Sequence, residues 1–301
     1  MKFLRTKETL AQNIAFMGIM AAINIILALI IALVPFISIF LIIFLPLTST
    51  LVALTCKKSY YPIYALATVG LALVATLWNM ETTIFYVVPS ILTGFIFGIL
   101  IRAKVHPVWS IFSATVIQAG LTFLFVPLIN FIFQTDLVSF FQKVFGIYDQ
   151  PWGQTVILTF VFLISLIQVF LSYFVVKEEV KKFGFEECKD LKHSWIYSLI
   201  GAISSLSIIG FYFCSLSVAY LMLAISFYFS IFLVIRLVEE KYWRTLIVCG
   251  VFVLINIFVF ALAYQYLKEY SQVLLIGITP LCISLLSLAV YFLQKQKEQI
   301  E

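Results

Sequence analysis

The sequence predicts an all-α fold: a polytopic integral membrane bundle of about ten transmembrane helices, with the N and C termini cytoplasmic. Of the 301 residues, 63% are hydrophobic and 11% are charged, whereas soluble domains carry about 25% charged residues. Uncharged apolar runs of roughly 20 residues, long enough to cross the hydrocarbon core, recur along the chain. The alternating pattern of barrel strands is absent, and helices are the other structure that satisfies backbone groups in lipid.

Charge placement predicts how the spans are oriented. The predicted spans are 12–34, 36–55, 60–78, 82–101, 108–133, 154–176, 195–214, 218–235, 245–267 and 273–293. With the N-terminus inside, all of the 19 Lys and Arg residues except Lys143 and Lys268 fall in cytoplasmic segments. Because basic residues concentrate on the cytoplasmic side, adding or removing one span would place several basic clusters outside. For spans seven and eight a re-entrant pair is the alternative, since their link is very short.

One long polar segment, 177–193, divides the chain unevenly. We expect a six-span bundle at 1–176, a charged cytoplasmic linker at 177–194 and a four-span region at 195–301. The segment holds basic and acidic residues in equal number. It is therefore too balanced to predict a patch for anionic lipid or nucleic acid.

Small residues line two faces of the first span. One stripe comprises Ala11, Ala15, Gly18 and Ala22, and the second comprises Ala21, Ala28 and Ala32. In lipid, small residues allow two helices to approach closely. Each stripe therefore predicts a helix contact, either within the same bundle or with a separate membrane subunit.

Proline and glycine mark irregular or closely packed points in later spans. Pro46 removes a backbone donor from the second span, and the hydroxyls of residues 48–50 can satisfy carbonyls near the break. Similar breaks are expected at the prolines of spans four, five and ten. Gly94 and Gly98 form a small-xxx-small pair that favours tight helix crossing.

The loop 134–153 contains a short amphipathic pattern. Asp136 is a suitable N-cap, apolar residues then follow at helical spacing, and Gly146 can end the helix. Such a helix is typical of a membrane interface. We expect either a passive anchor or a lid over an outward-facing cavity.

The sequence favours a non-catalytic protein that needs no cofactor or metal. No Asp, Glu, Lys, Arg or His lies in the central part of a predicted span, although ion-coupled transporters usually keep an ionisable group there. His106 and His193 lie at span edges, and neither an HExxH zinc motif nor a GxxxxGK[ST] phosphate-binding loop occurs. Any energy for transport would therefore come from a partner.

Neutral polar and aromatic residues remain as candidates for binding. Those expected inside spans are Asn24, Gln118, Gln168, Asn256 and Gln265. A buried amide in lipid usually bonds to a neighbouring helix, which is the structural alternative for each. The outer ends of spans three to six could instead form an amide- and aromatic-lined cavity for a small, partly apolar solute. Its predicted ligand-binding residues are Trp78, Asn79, Glu81, Tyr86, Gln118, Asn130 and Trp152.

The first six spans resemble the substrate-binding components of energy-coupling-factor importers. The features that carry this resemblance are the small-residue stripe of span one, the break at 45–47, the basic turn 56–58, and a fourth span with Pro89, Gly94 and Gly98 running into Arg102. The whole chain looks like the YybS-type bacterial membrane proteins. The resemblance covers residues 8–176. Over the four later spans, only the hydropathy pattern is similar.

The resemblance implies a six-helix protein of the bacterial cytoplasmic membrane that captures a vitamin-like solute from outside. It would dock through span one on a membrane coupling subunit driven by two ATPases. Carried over to this sequence, the docking residues are Ala11, Ala15, Gly18 and Ala22, and no ligand motif transfers. The alternative is a structural or regulatory scaffold that recruits cytosolic proteins through loops 177–193 and 236–244.

Overall fold

The chain folds into helices throughout the part that the structure describes. The computed structural model describes residues 7–144, 146, 153–182, 184–185, 194–263, 266 and 272–300, with the backbone alone at 35–39, 140–141, 144, 194, 263 and 294–300. The helices are α1 (Leu10–Leu33), α2 (Pro35–Thr55), α3 (Tyr61–Ala75), α4 (Met80–Thr82), α5 (Val88–Arg102), α6 (Pro107–Phe133), α7 (Leu137–Val144), α8 (Gly153–Lys181), α9 (Ser194–Cys214), α10 (Leu216–Glu239), α11 (Trp243–Ala263) and α12 (Gln272–Ile300). Short 3-10 turns at Lys58–Tyr60 and Leu77–Asn79 and a π-helical turn at Thr83–Val87 join some of them. No strand occurs among these residues.

Eight of the described helical stretches are long and apolar enough to cross a membrane. They are Leu10–Leu33, Leu77–Arg102, Pro107–Phe133, Gly153–Lys181, Trp195–Cys214, Leu216–Glu239, Trp243–Leu262 and Gln272–Leu293. A shorter apolar helix, Phe40–Thr55, accompanies them. The predicted spans seven and eight are thus two continuous helices, α9 and α10, separated by Ser215 alone.

Helix α2 runs back along α1, and the turn that follows it lies beside the beginning of α1. The backbone N–H of Lys7 donates to the carbonyl of Thr55 over 2.9 Å, and the N–H of Lys57 donates to Oδ1 of Asn13 over 3.0 Å. The turn between α2 and α3 therefore lies beside the beginning of α1. At the other end, Val34 alone separates α1 from α2. Helix α2 therefore runs antiparallel to α1, while α3, with 15 residues, is the shorter helix of the pair.

The described chain divides into two compact units. The first comprises Met1–Tyr148 and Val161–Asp190, and the second comprises Asp149–Phe160 and Leu191–Glu301. In the first unit, α1 packs on α2 and α3, while α5 packs on α2 and α6. In the second unit, α9 packs on α10 and α12, and α11 packs on α12.

The crossing of α2 and α5 is the tightest contact of the first unit. A Cβ atom added at Gly94 would lie 2.5 Å from the carbonyl oxygen of Pro46, and one added at Gly98 would overlap Cβ of Ala53. The small-xxx-small pair is therefore a packing motif, as its spacing predicts. Beside the break, the Thr50 hydroxyl donates to the Pro46 carbonyl over 2.8 Å.

The prolines of the later spans differ in their effect. Pro127 and Pro280 lie inside α6 and α12, as expected of breaks within spans. Pro89 also lies inside a continuous helical stretch, Leu77–Arg102, where it directly follows the π-helical turn. Because proline offers no backbone N–H to the preceding helical turn, the irregular point of this span is the π-helical turn beside it.

Buried serines and glycines hold the second unit together. The Ser198 hydroxyl donates to that of Ser287 over 3.1 Å, and a Cβ atom on Gly201 would lie 2.5 Å from Oγ of Ser284. Both pairs join α9 to α12. In lipid, burying apolar surface does not drive helices together, so helix association depends on dispersion contacts at close range. Small side chains such as these permit that close approach.

Candidate functional site

The residues predicted at the outer end of span four lie along an irregular segment. Trp78 is 62% exposed and belongs to the 3-10 turn, while Asn79 and Glu81 are half-buried. Tyr86 lies in the π-helical turn and packs against the cluster of Ile31, Ile42 and Leu45. It is also close enough to Glu81 for an electrostatic interaction. Single π-helical turns are frequent at functional sites.

Gln118 lies in a hydrogen-bonded chain between three helices. Its Oε1 accepts from the Thr93 hydroxyl over 3.1 Å, and its Nε2 donates to Oε1 of Gln168 over 2.6 Å. These residues belong to α6, α5 and α8 respectively. The amide is buried and engaged, which is the cross-helix bonding expected of amides inside spans.

Asn130 is engaged at the end of α6. Its Oδ1 accepts from the N–H of Leu137, the first residue of α7, over 3.1 Å. The hydroxyl and the N–H of Ser139 both donate to the Asp136 carboxylate, and these bonds lower the pKa of Asp136. Two side chains therefore cap α7, one of them Asp136 as the sequence predicts.

The predicted site residues of α6 do not lie together. Gln118 and Asn130 stand about 18 Å apart along the helix. Trp152, the last predicted site residue, lies outside the described residues.

Asn24 differs from the other amides inside the spans. It is fully buried in α1, yet neither its Oδ1 nor its Nδ2 has a hydrogen-bond partner among the described residues. Asn256, by contrast, donates to the carbonyl of Leu275 over 3.4 Å, while Gln265 lies outside the described residues. Among the described residues, Asn24 therefore does not make the cross-helix bond that is the structural alternative for such an amide.

Small apolar residues flank Asn24 on its own helix. On the same face of α1, Ala21 and Ala28 lie one turn to either side and belong to a core cluster that also contains Ala72 and Val87. Val87 is the last residue of the π-helical turn. A buried amide without a partner costs about 1–3 kcal/mol. The side chain therefore has the capacity to bind a group that offers both a donor and an acceptor.

The two small-residue stripes of α1 face different surroundings. Ala21 and Ala28 are buried in the bundle. The predicted docking residues are all exposed: Ala11, Ala15, Gly18 and Ala22. A Cβ atom added at Gly18 would meet no heavy atom within 4 Å. The second stripe thus packs within the bundle, whereas the first presents an open surface.

A groove lies between α5 and α6 in the first unit. Its volume is about 390 Å³. Its lining residues are Leu92, Phe95, Ile96, Ile99, Leu100, Ser113 and Ile117. We call it the α5–α6 groove. Because Ser113 is its only polar lining residue, the groove fits an apolar chain better than a polar solute.

The described residues hold no group of three or more His, Cys, Asp or Glu side chains that could bind a metal ion. Cys56, at the end of α2, is a buried thiol. Burial raises its pKa, partly opposed by the Thr55 hydroxyl and the charge of Lys7. A raised pKa keeps this thiol protonated and unreactive near neutral pH.

These helices and sites define a multi-pass membrane protein with a buried amide inside one helical unit. A scan against family models, a search of curated proteins and a search of solved structures each found no match to this chain.

Proposed function

We propose that this protein is a non-catalytic, small-molecule-binding subunit of a membrane importer of the energy-coupling-factor type. It resides in the bacterial cytoplasmic membrane with ten spans and both termini in the cytoplasm. A coupling subunit and ATPases supply the energy for transport. The solute is small, uncharged at its recognised group and partly apolar, as vitamin-like molecules are.

The arrangement of α1, α2 and α3 supports the ten-span topology. The eight longer helices meet the length of a bilayer, and the turn between α2 and α3 lies beside the beginning of α1. The basic turn at 57–58 lies at the end where α1 begins, and Arg102 joins it there by donating to the Leu54 carbonyl. Basic residues gathered at one end favour that end as cytoplasmic.

The unpartnered amide of Asn24 is the observation that carries the proposal. In protein interiors, a buried polar side chain without a partner calls for an explanation such as a ligand. A primary amide pairs with an amide, lactam or ureido edge, since these offer an acceptor and a donor side by side. The absence of charge near mid-span favours such a neutral group over an ion.

Native mass spectrometry of the gently purified protein tests solute binding. We expect a retained small molecule in the unaltered protein and its loss in Asn24→Leu, because leucine copies the branching of the amide without its polar atoms. Asn256→Leu is the matched control and should keep the solute. If Asn24→Leu and Asn256→Leu retain the solute equally well, Asn24 is not part of the binding site. If the unaltered protein retains no small molecule, the result counts against the importer function.

The open stripe of α1 supports docking on a membrane partner. Small residues without a contact in their own bundle leave room for close approach by another helix. We expect Gly18→Leu and Ala15→Leu to reduce co-purification of ATPase subunits at least several-fold. The control is Ile23→Phe, on an exposed face of α1 outside the stripe. Undiminished co-purification would contradict docking, and partners lost only on replacing loops 177–193 or 236–244 would favour the scaffold.

A further inference from the structure

The α5–α6 groove ends beside an exposed lysine. The lining runs from Leu92 to Leu100 along α5, a rise of about 12 Å. Directly after α5, the N–H of Lys104 donates to the Ile101 carbonyl over 3.0 Å, and that of Val105 donates to Leu100 over 2.9 Å. The turn is therefore fixed onto the last lining residue of the groove.

Lys104 places an exposed cation at this mouth. The neighbouring Arg102 already donates to the carbonyl of Leu54. Lys104 is exposed, and its ammonium has no hydrogen-bond or ion-pair partner in the part of the chain that the structure describes. An apolar channel with unneutralised positive charge at one end complements a molecule with an apolar chain and an anionic head.

The backbone conformation at Lys104 allows the charge to be tested cleanly. Its φ of +53° lies in the left-handed region, where glycine is the usual residue at this position after a helix. Lysine is accommodated there at some conformational cost. Replacing Lys104 with glycine should therefore remove the charge without straining the turn.

We propose that the α5–α6 groove binds an anionic phospholipid from the leaflet that the turn faces. One acyl chain occupies the groove, and the phosphate pairs with Lys104. Zwitterionic lipids fill the groove less well, because their own positive group competes for the phosphate. This site does not depend on the proposed solute or on docking through α1.

Lipid retention in native mass spectra provides the test, using micelles that contain phosphatidylglycerol and phosphatidylcholine in equal amounts. We expect the unaltered protein to retain phosphatidylglycerol in preference to phosphatidylcholine. In Lys104→Gln the retained phosphatidylglycerol should fall roughly fivefold, because one lysine contributes an attraction of about that size to anionic lipid. Lys104→Gly is the decisive variant, because it relaxes the backbone and should be at least as stable while losing the lipid. Lys58→Gln, which removes a lysine at the same end, is the control.

The groove itself is tested by filling it. Ser113→Phe should displace the lipid, whereas Val116→Phe, at an exposed position of α6 outside the lining, should not. Inorganic phosphate should fail to compete, since it lacks the chain. Equal retention of the two lipids, unchanged retention in the Lys104 variants, or displacement by phosphate alone would each overturn the proposal.

Discussion

At the scale of single residues, the amides inside the spans separate into two kinds. Gln118 bonds to Thr93 and Gln168, so its polar atoms contribute to the contact between helices. Asn24 is equally buried but has no partner for either polar atom among the described residues. The same chemical group therefore stabilises one site and destabilises the other when no ligand is bound.

This contrast predicts opposite effects of leucine at the two positions in protein without solute. Asn24→Leu should raise the free energy of unfolding by about 1 kcal/mol, because it removes an unsatisfied buried group. Gln118→Leu should lower it by about 1 kcal/mol, the size of an interhelical hydrogen bond in membranes. Unfolding in mixed micelles with increasing dodecyl sulfate, followed by tryptophan fluorescence, measures both. A loss of stability in Asn24→Leu would mean that the amide is satisfied by water.

At the scale of elements, the first unit depends on how closely α5 approaches α2. The two glycines of α5 face the backbone of α2 beside the Pro46 break. A rigid carbonyl oxygen cannot move away as a flexible side chain would. The contact consequently tolerates no side chain at Gly94.

Gly94→Ala should destabilise the protein by about 1–3 kcal/mol, as overpacking does, because its Cβ would lie 2.5 Å from the Pro46 carbonyl oxygen. Gly70→Ala is the matched control: it lies in the interior of α3, and an added Cβ meets nothing within 4 Å. Alanine there should be neutral or stabilising, because it favours helix over glycine. The same unfolding titration compares the two, and equal stability would contradict the tight crossing.

At the scale of the whole molecule, the sequence predicts the helices well because apolar runs and prolines mark them directly. The close helix packing at Gly94 and Gly98 and the Asp136 cap also follow from local spacing, although the spacing does not name α2 as the partner helix. The π-helical turn and the isolation of Asn24 do not, because both depend on which helices become neighbours. An amide in an apolar run predicts burial, but whether a partner faces it is a property of the assembled bundle.

The topology of the whole chain yields a last prediction, since eight and ten spans differ only in whether α2 and α3 cross. Their turn lies beside the beginning of α1, as the bond from Lys57 to Asn13 shows. In a variant whose five cysteines are replaced by serine, Lys58→Cys should therefore react with a membrane-impermeant maleimide only from the cytoplasmic side. Trp78→Cys, at the opposite end of α3, should react only from outside. Labelling of both positions from one side would mean that the α2–α3 pair does not cross and that the protein has eight spans.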